Sequence, residues 1–109
     1  MDYTAQKATT MTSIDEITKR LTPIFDESGV TRAIIFGSYA KGTATNTSDV
    51  DIVIETEPHV RGLMFYGILE RAVDVLGVKV DMIPKRSIKP NSPIEKEISE
   101  TGRTIYERR

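Results

Sequence analysis

The stretch from Arg32 to Glu55, RAIIFGSYAKGTATNTSDVDIVIE, constrains this chain more than any other. Ala33-Ile34-Ile35-Phe36 is an apolar run of strand length, and Gly37 stops it. Gly37-Ser38 then places a small, flexible pair where backbone can approach a ligand closely, with Ser38 expected to cap the short helix that follows. The start of such a turn carries unpaired N–H groups and positive potential, a natural seat for phosphate. A polar loop, Thr43 to Ser48, leads into Asp49-Val50-Asp51, and Ile52-Val53-Ile54 continues as a second strand.

Residues two apart on a strand share a face, so Asp49 and Asp51 point the same way with α-carbons roughly 6.5–7 Å apart. Carboxylates so placed suit metal ions roughly 3.5–4 Å apart, the spacing of two-metal phosphoryl-transfer sites. Oxygen-only ligands favour magnesium, which relies on substrate phosphates for part of its shell. A phosphate seat beside a carboxylate pair points to nucleotide chemistry. It is not a Walker A loop, which needs Lys and Ser/Thr directly after its second glycine, whereas Thr43 follows Gly42.

The rest of the chain bounds this reading. Its 109 residues allow one domain, and 39% hydrophobic residues can bury a modest core. Fifteen basic and sixteen acidic residues, a net charge of −1, argue against strong general nucleic-acid binding. There is no cysteine, which excludes thiolate catalysis and disulfides. No apolar run approaches the ~20 residues that span a bilayer. The N-terminal stretch is polar and without a signal-peptide core, so a cytoplasmic protein is expected.

In chain order, residues 1–12 read as a loosely ordered tail and 13–109 as a single domain. Ser13 and Glu16 form a capping pair before Ile14, Ile17, Leu21 and Ile24 at helical spacing, with Pro23 a place for a kink or restart. A second amphipathic helix is expected from Val60 to about Leu76, stopped by Gly77. Val78 to Ile83 reads as a third strand carrying Asp81, an acidic residue costly to bury unless partnered. Lys85, Arg86 and Lys89 read as a solvated basic loop. Ser92-Pro93-Ile94-Glu95 starts a last helix ending at Gly102, and Thr104-Ile105-Tyr106 suits an edge strand. His59, the only histidine, is assigned no role. The expected fold class is α/β (α+β): a small mixed sheet, its first two strands antiparallel neighbours, with helices packed on one side.

G-S-Y-A-K-G followed by S-D-V-D resembles the signature of the DNA polymerase β-like nucleotidyltransferases, over roughly Ile14 to Tyr106. The most similar branch is the minimal nucleotidyltransferases (MNT), known as antitoxin partners of HEPN-domain toxins. The resemblance implies two magnesium ions held by Asp49, Asp51 and a third carboxylate on a later strand, a part only Asp81 fits. It further implies that Asp81 helps activate the attacking hydroxyl, and that the Gly37-Ser38 turn holds the β/γ phosphates of ATP or another NTP. Lys41 would assist as a point charge, where many relatives carry arginine. Ser48 either begins the strand or orients Asp49 with its hydroxyl, and the second is expected. The implied activity is AMP transfer onto a tyrosine of a HEPN ribonuclease toxin. Two rival functions are a catalytically vestigial antitoxin that only masks its toxin, and a small-molecule nucleotidyltransferase of the aminoglycoside-modifying kind.

Overall fold

A computed structural model describes residues 13–45 and 47–108. The N-terminal stretch 1–12, read above as a tail, lies outside the described residues. The elements run α1 (Ile14–Glu27), β1 (Val30–Phe36), α2 (Ser38–Lys41), β2 (Val50–Thr56), α3 (Leu63–Leu76), β3 (Val80–Pro84), α4 (Pro93–Thr101) and β4 (Arg103–Glu107), with a 3-10 turn at Lys85–Ser87. They form one mixed four-stranded sheet in the order β3-β2-β1-β4. β1 pairs antiparallel with β2 and with β4, and β2 pairs parallel with β3. A parallel pair requires a crossover, which α3 supplies.

Strand periodicity divides the sheet into two faces. Ala33, Ile35, Ile52, Ile54, Val80 and Met82 point into the main core. Ile17, Leu21, Ile24 and Phe25 of α1 and Ile68, Ala72 and Leu76 of α3 meet them there. Both long helices therefore lie on one face, as the apolar stripes required. The short α4 meets β1 from the other side, near Ile34. Phe36 and Val53, whose parity also sets them on that second face, are 4% and 1% exposed.

Local chemistry sets the element ends. The Ser13 hydroxyl accepts from Glu16 N (3.1 Å), and the Ser92 hydroxyl from Glu95 N (3.2 Å). Glu95 reaches back to Asn91 N at 2.6 Å. α1 runs unbroken through Pro23, which is exposed, so the missing hydrogen bond falls on the solvent side. β4 is latched to α1 by Tyr106 Oη donating to Asp26 (2.7 Å), and its ring meets Phe25 edge-on at 5.4 Å.

Three boundaries differ from the sequence expectation. α3 starts at Leu63, because Val60 is buried from a turn in which its N–H bonds to Glu57 O. An apolar periodicity cannot tell a buried turn residue from a helical one. β3 starts at Val80, since Lys79 contributes only a carbonyl to Val50 N before the ladder begins. Gly37, rather than Ser38, occupies the cap of α2, with no side-chain hydrogen bond there.

Two glycines should respond to alanine with opposite signs. A Cβ on Gly102 would collide with the Ile98 carbonyl oxygen and sit 3.0 Å from Ile34 Cγ2, whereas one on Gly67 in α3 meets nothing within 4 Å. Urea denaturation should show Gly67→Ala stabilising by about 0.5–1 kcal/mol. Gly102→Ala should destabilise by about 1–3 kcal/mol, the range for overpacking.

Candidate active site

β1 ends where two other strands bring up acidic residues. Phe36 stands opposite Asp51 in the antiparallel register, and Asp51 stands opposite Asp81 in the parallel one. The three residues form a row across adjacent strands, and neighbouring strands lie ~4.8 Å apart. Asp49, just before β2 begins, shares the parity of Asp51. The three aspartates singled out in the sequence thus gather at one end of one sheet face. Asp81 is exposed there, rather than buried as a mid-strand position suggested, because β3 is an edge strand.

Gly37 turns the chain directly over this row. Its φ of 77° and ψ of −149° lie in a region essentially closed to residues with a side chain. A Cβ at this position would also fall 2.5 Å from Asp51 Oδ2. The glycine is needed twice, for its dihedrals and for the space the carboxylate occupies. Its N–H donates to Thr101 Oγ1 at 3.1 Å, which links the turn to the end of α4.

Crowding has an electrostatic result. The Asp51 carboxyl is pushed from its ordinary 3.8 up to about 6, by burial first and then by the charges of Asp81, Asp49 and Glu97. Glu97 on α4 is therefore a fourth acidic group acting on this position, and the sequence reading missed it. No local motif marks Glu97 or Thr101, since both join the site only through the packing of α4 on β1.

The remaining candidates are placed differently. Lys41 is exposed at the end of α2. The Ser48 hydroxyl does not orient Asp49: it accepts from Thr45 N at 2.8 Å and closes the 43–48 loop on itself. Such a side-chain-to-backbone turn bond competes well at serine. The partner of Asp49 is Lys79, at 3.8 Å.

Among the described residues no group of three His, Asp or Glu side chains is arranged to hold a metal ion as the side chains lie. The donor chemistry nevertheless suits a hard divalent cation: carboxylate oxygens only, with mutual repulsion concentrated on Asp51. Asp49 is engaged only by a mostly exposed ion pair, its lysine 79% exposed, a type of contact worth about 0–1 kcal/mol. Releasing it is inexpensive.

A mixed sheet, two adjacent strands with aspartates in register, and a glycine turn seated on one of them define the nucleotidyltransferase fold class. Comparison with known proteins agrees. Residues 14–105 match the nucleotidyltransferase domain family. The chain is 38% identical over 78 residues to a candidate protein adenylyltransferase of Methanocaldococcus jannaschii, covering 72% of this chain and 84% of that one. It is 35% identical over 83 residues to the protein adenylyltransferase MntA of Thermococcus cleftensis, covering 72% and 84%. Among solved structures, a chain from a toxin–antitoxin crystal structure with AMP-PNP superposes with a TM-score of 0.70 at 17% identity, covering 83% of this chain and 73% of that one. A chain from the complex of a tri-AMPylated Shewanella oneidensis HEPN toxin with its MNT antitoxin gives a TM-score of 0.65 at 14% identity, over 85% and 71%. This chain belongs to the nucleotidyltransferase domain family, in its minimal nucleotidyltransferase branch, and is a nucleotidyltransferase.

The raised pKa of Asp51 carries a stability consequence in metal-free protein. The folded chain holds this proton more tightly than the unfolded one, so ionising Asp51 costs stability as pH rises from about 4 to about 6. Asp51→Asn should therefore melt at higher temperature than the wild type above pH 6. The gain should shrink as pH falls toward 4, in thermal scans run with chelator.

Proposed function

We propose that this protein transfers AMP from ATP to a hydroxyl of a partner protein, with release of pyrophosphate, and that the acceptor is a tyrosine of a HEPN-type toxin which the transfer silences. One observation carries the reading: Asp51 and Asp81 stand in register beneath the Gly37 turn, in a chain 35–38% identical to proteins named as protein adenylyltransferases. A likeness to chains from toxin–antitoxin complexes, one with a tri-AMPylated HEPN toxin, supports the choice of partner.

Asp49, Asp51 and Asp81 would hold magnesium, which when bound supplies positive charge to the triphosphate and to the departing pyrophosphate. With the Gly37 N–H held by Thr101, the backbone N–H groups that follow at the start of α2, from Ser38 on, would face the phosphates, and Lys41 would add a mobile positive charge near the end of α2. Ser48 acts indirectly, holding the loop that delivers Asp49. The acceptor oxygen attacks the α-phosphorus while the bond to the bridging oxygen of the β-phosphate breaks. The hydroxyl proton passes to Asp81, whose exposure lets an acceptor from another protein reach it. Positioning and charge stabilisation dominate such chemistry, so each carboxylate is expected to matter greatly.

Intact-protein mass spectrometry tests this directly, after incubation with ATP, magnesium and the candidate HEPN partner. The partner should gain mass in whole AMP units. Asp49→Asn and Asp51→Asn should each slow transfer by at least about 100-fold while remaining folded. Near wild-type turnover by either variant would sink the carboxylate assignment, and a tight complex that silences the toxin with no mass gain would replace transfer by masking.

Gly37→Ala is a second, sharper probe of the same site. The added methyl would meet the Asp51 carboxylate, so transfer should fall about as far as with Asp51→Asn, while Gly67→Ala, away from the site and with nothing within 4 Å of the added carbon, should leave transfer within a fewfold.

A further inference from the structure

We propose that Thr101 is a positioning residue of the transfer reaction: from the end of α4 it holds the Gly37 peptide, and through it the Asp51 carboxylate. The inference rests on the AMP-transfer reading above and assigns a new part within that site.

The geometry is a three-link chain. Thr101 Oγ1 accepts from Gly37 N at 3.1 Å, across 64 residues of sequence. The same hydroxyl donates to the Glu97 carbonyl one turn earlier, at 2.9 Å. With its proton committed to Glu97, the oxygen turns a lone pair to Gly37, so acceptor direction is set by the helix rather than free to rotate. Gly37 is itself buried, so its N–H needs a protein partner, and the Thr101 hydroxyl is that partner. The last link is steric: Gly37 backs onto Asp51 Oδ2 so closely that no Cβ fits between them. A shift of the Gly37 peptide therefore becomes a shift of the carboxylate or of the space it fills.

Two further features show that this end of α4 is built for close approach. Gly102, the next residue, lets the chain pass within contact of Ile98 and Ile34 and turn at once into β4. Arg103 and Thr104 then pair with Ile35 and Ile34 of β1, immediately before the turn that Thr101 holds. The hydroxyl thus joins two segments already fixed on the same strand. It adds direction at the reacting end rather than bulk stability.

Thr101→Val keeps the shape and removes both hydrogen bonds; Thr101→Ser keeps the hydroxyl. With the HEPN partner as acceptor, Thr101→Val should lower kcat about 10- to 100-fold, the range expected when a catalytic group is displaced by up to an ångström. Its KM for the partner should not change, because Thr101 faces Gly37 rather than the acceptor. Thr101→Ser should stay within about threefold of wild type on the same scale. Hydrogen exchange by NMR supplies a readout independent of activity: the Gly37 amide should be protected in the wild type and in Thr101→Ser, and should exchange faster in Thr101→Val. A folded Thr101→Val with wild-type kcat overturns the proposal, as does a Thr101→Ser as impaired as the valine variant. If Thr101→Val does not fold, rapid exchange of the Gly37 amide in the wild type overturns it equally. An inactive wild type is a different failure, visible before any variant is made, and falls on the AMP-transfer reading itself.

Discussion

The structure depends on holding like charges together at one end of a small sheet. Asp51 sits between strands that bring Asp81 beside it and Asp49 just before it, and Glu97 adds to the same field from α4. Such a group is costly to ionise and gains little from its surroundings while no cation is bound. The chain tolerates it because the remainder of the fold is conventional and well buried. Among the described residues nineteen hydrophobic side chains are buried, and the carboxylates stand on the opposite face from the main cluster. A local loss of stability at a site of this kind is the usual counterpart of function.

Sheet order converts that local arrangement into an open site. Because β2 is central, its start can face β1 through an antiparallel register and β3 through a parallel one. The antiparallel neighbour brings the Gly37 turn over Asp51, and the parallel neighbour brings Asp81 alongside. Since β3 is an edge strand, Asp81 remains accessible from outside. α4 and β4 close the other flank, where Thr101 ties the glycine turn to the helix end. A site open on one side and braced on the other suits the proposed transfer to an acceptor on another protein.

Much of this was legible residue by residue. The apolar run ending at Gly37, the Ser13 and Ser92 caps, and the alternation in β2 all depend on contacts within a few residues, which local patterns encode well. Three departures share one cause. Val60 is apolar and in phase with α3, yet it is buried from a turn. Ser48 was expected to serve Asp49, yet its hydroxyl found a nearer backbone N–H at Thr45. Ser38 looked like the cap, yet the cap position fell to the residue that can adopt φ 77°. In each case residue type was informative and the geometry that selects between two nearby options was not.

By itself the sequence determined the strand–glycine–helix–strand unit, the acidic pair two residues apart, and through resemblance the family to which that unit belongs. These are short-range or motif-level properties, carried by periodicity and by residues with few conformational alternatives. Only the tertiary structure decided that Asp81 stands in register with Asp51, that Gly37 is pressed onto the Asp51 carboxylate, and that Glu97 and Thr101 reach the site. Those relations join residues tens of positions apart, and a one-residue slip in strand register would turn every side chain to the other face. Register is set by the packed core as a whole, so no local stretch of this chain could have announced it.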